Sequence, residues 1–206
     1  MSLREQPPMG DQQPLVLPTD TEFDSVYPES VRRLSTFHWT PVAVAARAAS
    51  MLTEAGSTRI LDVGSGAGKF CILGAMVTDA QFVGVERRRN LVEVSETAAA
   101  RLGVTRATFL HSSFDRIGFE AFDGIYLYNP FFEQISRALP QIDDSIEFST
   151  ATYRYFTQVV TERLSALAPG AAVVSYHGFG GMMPRSYRFE RDEIAGDDRL
   201  DLWIRQ

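Results

Sequence analysis

The stretch ILDVGSGAGKF, Ile60 to Phe70, decides the fold. Ile60 to Val63 is a short apolar run interrupted by Asp62, which reads as a buried strand. Gly64, Gly66 and Gly68 follow at two-residue spacing. Lacking β-carbons, they allow a sharp turn and the close approach of a ligand to the backbone. The helical segment KFCILGAMV comes next, so the loop amides open a helix N-terminus, a setting that favours an anionic group.

Outward from this loop, strands and helices alternate. The run AQFVGVE reads as a second strand and RNLVEVSETAAARLG as a helix stopped by Gly103. RATFLHSS is a third strand. A connection with room for one helical turn leads to FDGIYLYN, the fourth. A long helix is expected from Ser145 to Leu167, ended by Pro169-Gly170, and AAVVSYHGF is the fifth strand. The C-terminal segment SYRFERDEIAGDDRLDLWIRQ differs: two polar-alternating stretches flank AGDD, the pattern of an antiparallel hairpin. Upstream, a helical pattern covers Ser30 to Glu54, with Thr40 as N-cap of its Ala-rich part, Pro41 in the first turn and Gly56 as the stop. Residues 1–20, rich in Pro, Gln and Asp, read as a flexible arm. The expected class is therefore α/β: a three-layer αβα sandwich around a seven-stranded, mostly parallel sheet with an antiparallel C-terminal strand. Residues 21–206 form one domain, with 21–56 a helical cover and 57–206 a Rossmann-like core.

Spacing narrows the ligand. The dinucleotide fingerprint is G-x-G-x-x-G, whereas here the run is G-x-G-x-G. The phosphate loop needs four residues between its first glycine and G-K-[ST]; Gly64 has three before Gly68-Lys69, and Phe70 stands where a magnesium-binding hydroxyl would be. No metal is assigned to the site.

Asp62-Val63-Gly64-Ser65-Gly66-Ala67-Gly68 resembles motif I of the class I S-adenosylmethionine-dependent methyltransferases, whose fold is a seven-stranded sheet with a last antiparallel strand. The likeness spans Thr58 to the C-terminus by organisation and is close at the motifs. It implies that S-adenosylmethionine is the cofactor, S-adenosylhomocysteine its product, and that Asp62, Gly64, Ser65, Gly66 and Gly68 line its methionine end. Glu86 closes the second strand 18 residues after Gly68; in the family a carboxylate there accepts both ribose hydroxyls. An acid in this place would also serve NAD. Ser113 and Phe114, after the third strand, are the implied adenine contacts, with Asp115 as an alternative to Ser113.

The fourth strand ends in Asn129-Pro130-Phe131-Phe132, which resembles the Asn/Asp-Pro-Pro-aromatic motif of the amino-methylating members, with Phe131 replacing the second proline. A side-chain amide and a backbone carbonyl can accept an amine's hydrogens and aim its lone pair, so Asn129 and Pro130 are the catalytic candidates, Asn129 also touching cofactor. The Phe131 departure leaves oxygen and carbon acceptors open beside nitrogen. His177 could serve as a base, or be a satisfied strand-end residue; His111 and His38 have weaker claims. The cluster FHWTP (Phe37 to Pro41) reads either as a cover for the methionine end or as packing, and Gly178, Gly180 and Gly181 mark a loop able to move.

Composition limits the alternatives. The chain has 206 residues, 45% hydrophobic and 22% charged, enough for one α/β domain. Its formal net charge of −6, with only Arg32-Arg33 and Arg87-Arg88-Arg89 as basic runs, disfavours nucleic acid as partner. Those runs read as solvated helix starts, as do Asp143, Asp144 and Glu147. No apolar run reaches membrane-spanning length, no secretory signal is present, and a single cysteine fits the cytoplasm. The reading is an S-adenosylmethionine-dependent methyltransferase acting on an unidentified small molecule or protein, nitrogen favoured. The alternatives are an inactive cofactor-binding subunit and an NAD-dependent oxidoreductase.

Overall fold

The computed structural model describes residues 16–138, 140–145 and 147–206. Residues 1–15 of the expected arm thus lie outside the described residues; Asp20, its last residue, already begins a helix. In chain order the elements are α1 (Asp20–Asp24), α2 (Glu29–Arg32), α3 (Ser35–His38), α4 (Val42–Glu54), β1 (Arg59–Val63), α5 (Lys69–Val77), β2 (Gln81–Glu86), α6 (Arg89–Arg101), β3 (Ala107–His111), β4 (Gly124–Tyr128), α7 (Thr150–Ser165), β5 (Ala172–Tyr176), β6 (Tyr187–Ala195) and β7 (Asp198–Arg205). A 3-10 turn, Phe114–Arg116, fills the β3–β4 connection, and another, Phe132–Gln134, follows β4.

The sheet runs β3-β2-β1-β4-β5-β7-β6. All pairs from β3 to β5 are parallel, and β7 is antiparallel to both β5 and β6. Strand order reverses between β1 and β4, so the carboxyl ends of these two strands open the crevice where α/β sheets bind ligands. Alternate residues feed two apolar layers, as the two-residue strand period requires. Ile60 and Tyr126 enter the layer beneath α4 and α5, whereas Leu61, Val63, Ile125 and Leu127 enter the layer beneath α7. On α4, Ala45, Ala48 and Ala49 are fully buried; their small side chains let the helix seat closely in the first layer.

Two helix expectations are corrected. The pattern from Ser30 to Glu54 is not one helix but three, because Trp39 and Pro41 take extended backbone between α3 and α4, consistent with the restriction that Pro41 places on Thr40. Pro41, not Thr40, is the N-cap of α4. The Thr40 hydroxyl instead meets the Tyr126 hydroxyl at 3.1 Å, and the Val42 N–H donates to Asp20 Oδ1 at 3.0 Å, so the cap comes from α1. The last long helix begins at Thr150 rather than Ser145, because Ser149 Oγ accepts the Thr152 N–H. Asp143, Asp144 and Glu147 therefore lie ahead of the helix, and Asp143 is held by Arg88 at 3.2 Å.

Among the described residues no helix is long and apolar enough to cross a membrane. The loop at Gly180 and Gly181 packs on α7, where Tyr153 and Thr157 occupy the space a β-carbon would need.

Candidate active site

The glycine loop leaves β1 at the point where β4 leaves its own strand. A β-carbon on Gly64 would stand 3.4 Å from the Pro130 side chain, so the two segments touch across the crevice. Gly66, at φ +53°, has its α-carbon under the Trp39 indole, and any β-carbon there would overlap the ring. Gly68, the left-handed N-cap of α5, faces the other way, with Phe109 and Ser95 filling the space beside it. Ser65 also turns inward: its hydroxyl lies under Gly84 and is buried without a hydrogen-bond partner. The motif thus divides, with Gly64 and Gly66 lining the cavity at the crevice and Ser65 and Gly68 packing behind it.

The expected free amides are largely occupied. Gly64 and Ser65 N–H both donate to the Val85 carbonyl at 3.0 Å, and Gly68 N–H to the Ser65 carbonyl at 2.8 Å. Gly66 N–H donates to Glu86 Oε2 at 3.2 Å. The loop therefore offers a ligand bare backbone surface rather than a ring of donors.

Glu86 ends β2 with 5% exposure. Its second oxygen, Oε1, accepts the Arg88 N–H at 2.8 Å. Each oxygen has one protein donor and can accept another, so the carboxylate is fixed in direction with acceptor capacity left over. Burial pushes its carboxyl up, opposed by those two N–H groups and the Arg88 charge. Glu86 and Gly64 line both halves of a trough. One half is a narrow slot of about 50 Å³ bounded by Ser112, Ser113, Phe114 and Phe131. The other is a cavity of about 370 Å³ bounded by Phe37, Tyr128, Asn129, Phe132 and His177.

Ser113 and Phe114 therefore fall together, as the motif order implied, while Asp115 does not line the trough; Tyr155 OH lies 3.4 Å from its Oδ2. Phe114 and Phe131 rings stand 4.8 Å apart, so they form one aromatic wall and leave no gap between them for a flat group.

Asn129 has φ +38° and His177 φ +55°, the only non-glycine residues with positive φ among those described. They end adjacent strands, since Tyr128 pairs with Tyr176, and Asn129 N–H donates to the Gly178 carbonyl at 2.9 Å. Two strained residues side by side at one cavity mark a place where geometry is held against local preference. His177 Nδ1 lies 2.7 Å from Asp198 Oδ2, and Nε2 lies 3.4 Å from Asp197 Oδ1.

Asp62 is buried beneath Trp39 and lines a small void of about 40 Å³ with Gly64, Tyr126 and Tyr128. Burial pushes its carboxyl up to about 7, against the hydrogen bond from Cys71 Sγ at 3.6 Å, and the Glu86 charge adds to the rise. A carboxyl raised on folding binds its proton more tightly in the native state, so its contribution to stability falls as pH rises from about 4 to about 7. Asp62→Asn removes this dependence. In urea titrations the variant is expected to gain about 2 kcal/mol on wild type between pH 5 and pH 8; parallel curves would show that Asp62 is ionised throughout.

Several site residues carry no motif. Arg88, read as part of a solvated run, is only 7% exposed; it pairs with Glu133 at 2.8 Å and Asp143 at 3.2 Å and lines both halves of the trough. The expectation for Arg88 is corrected: carboxylates brought from after β4 neutralise it and pull it inside. Trp39 is 6% exposed and packs on Gly66, as the packing alternative expected of it, while Phe37 is 43% exposed and lines the large cavity instead of packing. His38 Nε2 reaches the Pro140 carbonyl at 2.6 Å, joining the N-terminal segment to the loop after β4.

Residues 54–163 match the sequence profile of a family described as methyltransferase domain. The chain belongs to that family. This methyltransferase has the class I, S-adenosylmethionine-dependent fold, and the oxidoreductase alternative is set aside. Similar folds include an RNA methyltransferase from Salinibacter ruber in complex with S-adenosylhomocysteine, 22% identical over 80% of this chain and 92% of that one, with a TM-score of 0.57. A putative O-methyltransferase from Klebsiella pneumoniae is 17% identical, covers 91% of each chain and has a TM-score of 0.60. The magnesium protoporphyrin IX methyltransferase from Synechocystis PCC 6803, with bound S-adenosylmethionine, is 12% identical over 87% of this methyltransferase and 85% of that chain, with a TM-score of 0.57. No curated protein matches this methyltransferase in sequence.

Proposed function

We propose that the trough between β1 and β4 holds S-adenosylmethionine along its length, and that the methyl acceptor, a nitrogen nucleophile on a small molecule or protein, enters from the 370 Å³ cavity. One observation carries this reading: Glu86, with an acceptor site free on each oxygen, stands at the junction of a narrow aromatic slot and a wider polar cavity. That is the place for a ribose between an adenine and an amino-acid tail. Ser113 and Phe114 then meet the adenine, Gly64 and Gly66 the methionine portion with Asp62 behind them, and Asn129 with Pro130 the reacting end. Ser65 and Gly68 act through packing of the loop. Two of the similar folds carry the donor or its product in their own structures, which supports the same placement here.

The bound donor supplies an activated methyl group, so the protein's own share is alignment and desolvation. Asn129, held at positive φ, and Pro130 line the cavity, and in this reading the amide of the first and the carbonyl of the second orient the acceptor's lone pair. Helices α1 to α4 act as the cover expected of residues 21–56, with Trp39 excluding water above Gly66. The single buried Cys71 agrees with a reducing compartment such as the cytoplasm.

Two measurements test this. Calorimetry is expected to give S-adenosylhomocysteine binding at about micromolar affinity and no saturable binding of NAD. Labelled donor incubated with fractionated lysate is expected to mark protein or small molecules rather than RNA. Tight donor binding with label in no fraction would instead support a regulatory subunit.

A further inference from the structure

The large cavity has a chemical bias that the motifs do not specify. Its walls include Phe37, Tyr128 and Phe132, and, with Glu86 given to the ribose, the carboxylates left to an acceptor are Glu133 and Asp197. The one arginine lining it, Arg88, is shared among Glu133, Asp143 and Glu86, so that group alone carries excess negative charge. At the opposite end the β6–β7 turn delivers Asp197 and Asp198 to the two nitrogens of His177. The Tyr128 and Tyr176 rings pack against the imidazole, with centroids 5.7 and 4.3 Å away. Among the described residues, Tyr128 from β4, Tyr176 from β5, Asp197 from the turn and Asp198 from β7 are the titratable groups in contact with His177.

Aromatic faces beside unneutralised carboxylates attract a cation carried on an apolar body. An ammonium cannot attack until it loses a proton, and the cavity holds one group placed to receive it. With Nδ1–H donating to Asp198, His177 Nε2 carries the lone pair; Asp197 Oδ1, 3.4 Å away, accepts instead from the Tyr176 hydroxyl, and His177 and Asp197 both line the cavity. Resting on the methyltransferase reading above, we propose that the acceptor is a protonated amine on a flat apolar body and that His177, oriented by Asp198, takes its proton. The ammonium gives one proton to Nε2 and becomes a neutral amine. Its lone pair then forms the N–C bond as the donor's C–S bond breaks, leaving that electron pair on sulfur. The product departs as a methylated ammonium, and His177 returns its proton to water.

Three isosteric probes test the charge preference on protein saturated with S-adenosylhomocysteine: phenethylamine, 2-phenylethanol and phenylacetate. Calorimetry at pH 7 is expected to rank phenethylamine about tenfold tighter than the alcohol, with phenylacetate weakest. Asp197→Asn is expected to erase most of that tenfold advantage while leaving S-adenosylhomocysteine affinity unchanged. Equal or tighter binding of the alcohol or the acid overturns the proposal, as does failure of all three probes while S-adenosylhomocysteine binds. Failure of S-adenosylhomocysteine itself would instead strike the donor reading. The proton step has its own readout. His177→Gln is expected to slow methylation of phenethylamine by about 100-fold at pH 7 but to spare that of 4-methylaniline, which is already neutral. An equal defect on both amines reduces His177 to a structural role, and no methylation of either by wild type overturns the acceptor class.

Discussion

Glu86→Ala is expected to weaken S-adenosylhomocysteine binding by about 10- to 100-fold. The Gly66 and Arg88 N–H groups take one acceptor site on each oxygen, and the remaining sites are the ones that the proposed function gives to the two ribose hydroxyls. Hydrogen bonds to a charged group contribute about 1.5–3 kcal/mol each, so the loss of even one reaches tenfold. The fold should not suffer in proportion. Burial already raises this carboxyl, which means that the folded protein bears a cost for keeping it ionised at neutral pH. Glu86→Gln, which keeps one acceptor oxygen and sets an NH2 against the other backbone N–H, is expected to lie between wild type and Glu86→Ala in affinity. A well-folded Glu86→Ala protein with undiminished affinity would move the ribose elsewhere and take the orientation of the whole donor with it.

The second large effect is on stability. Lys69 follows the glycine loop directly and is 2% exposed. Its Nζ donates to Asp20 Oδ1 at 2.6 Å, Asp24 Oδ1 at 2.8 Å and Ser35 Oγ at 3.3 Å, so one ammonium ties α1 and α3 to the first turn of α5. Lys69→Met keeps the volume and leaves the buried Asp24 without its partner. Removing one member of a buried ion pair costs about 3–5 kcal/mol, and the low end is expected because Asp20 is half exposed. The denaturation midpoint should fall accordingly. S-adenosylhomocysteine affinity should fall with it, because Trp39 reaches Gly66 only while the N-terminal helices are seated. Adding Asp24→Asn to Lys69→Met neutralises the stranded carboxylate and is expected to restore about half of the lost stability. An unchanged midpoint in the single variant would show that the N-terminal helices are held by their apolar contacts alone.

Much of this architecture was legible in the chain. Strands buried on both faces announce themselves as short apolar runs, and the carboxyl ends of β1, β2 and β4 carry the glycines, Glu86 and Asn129-Pro130 at places the alternation alone locates. What was hidden depended on distant partners. Arg87, Arg88 and Arg89 look alike in sequence, and only the arrival of Glu133 and Asp143, 45 and 55 residues on, decides that the middle one goes inside. The loop amides looked free because the carbonyl that takes two of them, that of Val85, lies on another strand. Lys69 looked like a failed phosphate ligand, and its true partners precede it by 34 to 49 residues. Helix starts were misplaced for a related reason: Asp20 supplies from α1 what the sequence around Thr40 was expected to supply locally.

The antiparallel course of β7 has a consequence for how such an enzyme can diverge. Because β7 starts where β5 stops, the tip of the terminal hairpin arrives at the rim of the crevice, built from residues to which the proposed function gives no part in the grip on the donor. On the acceptor proposal above, exchanging Gly196 to Asp198 for a turn of different chemistry is expected to change the nucleophile accepted while the methyl source stays the same. The C-terminal hairpin is, in that sense, an interchangeable selector fitted to a constant engine.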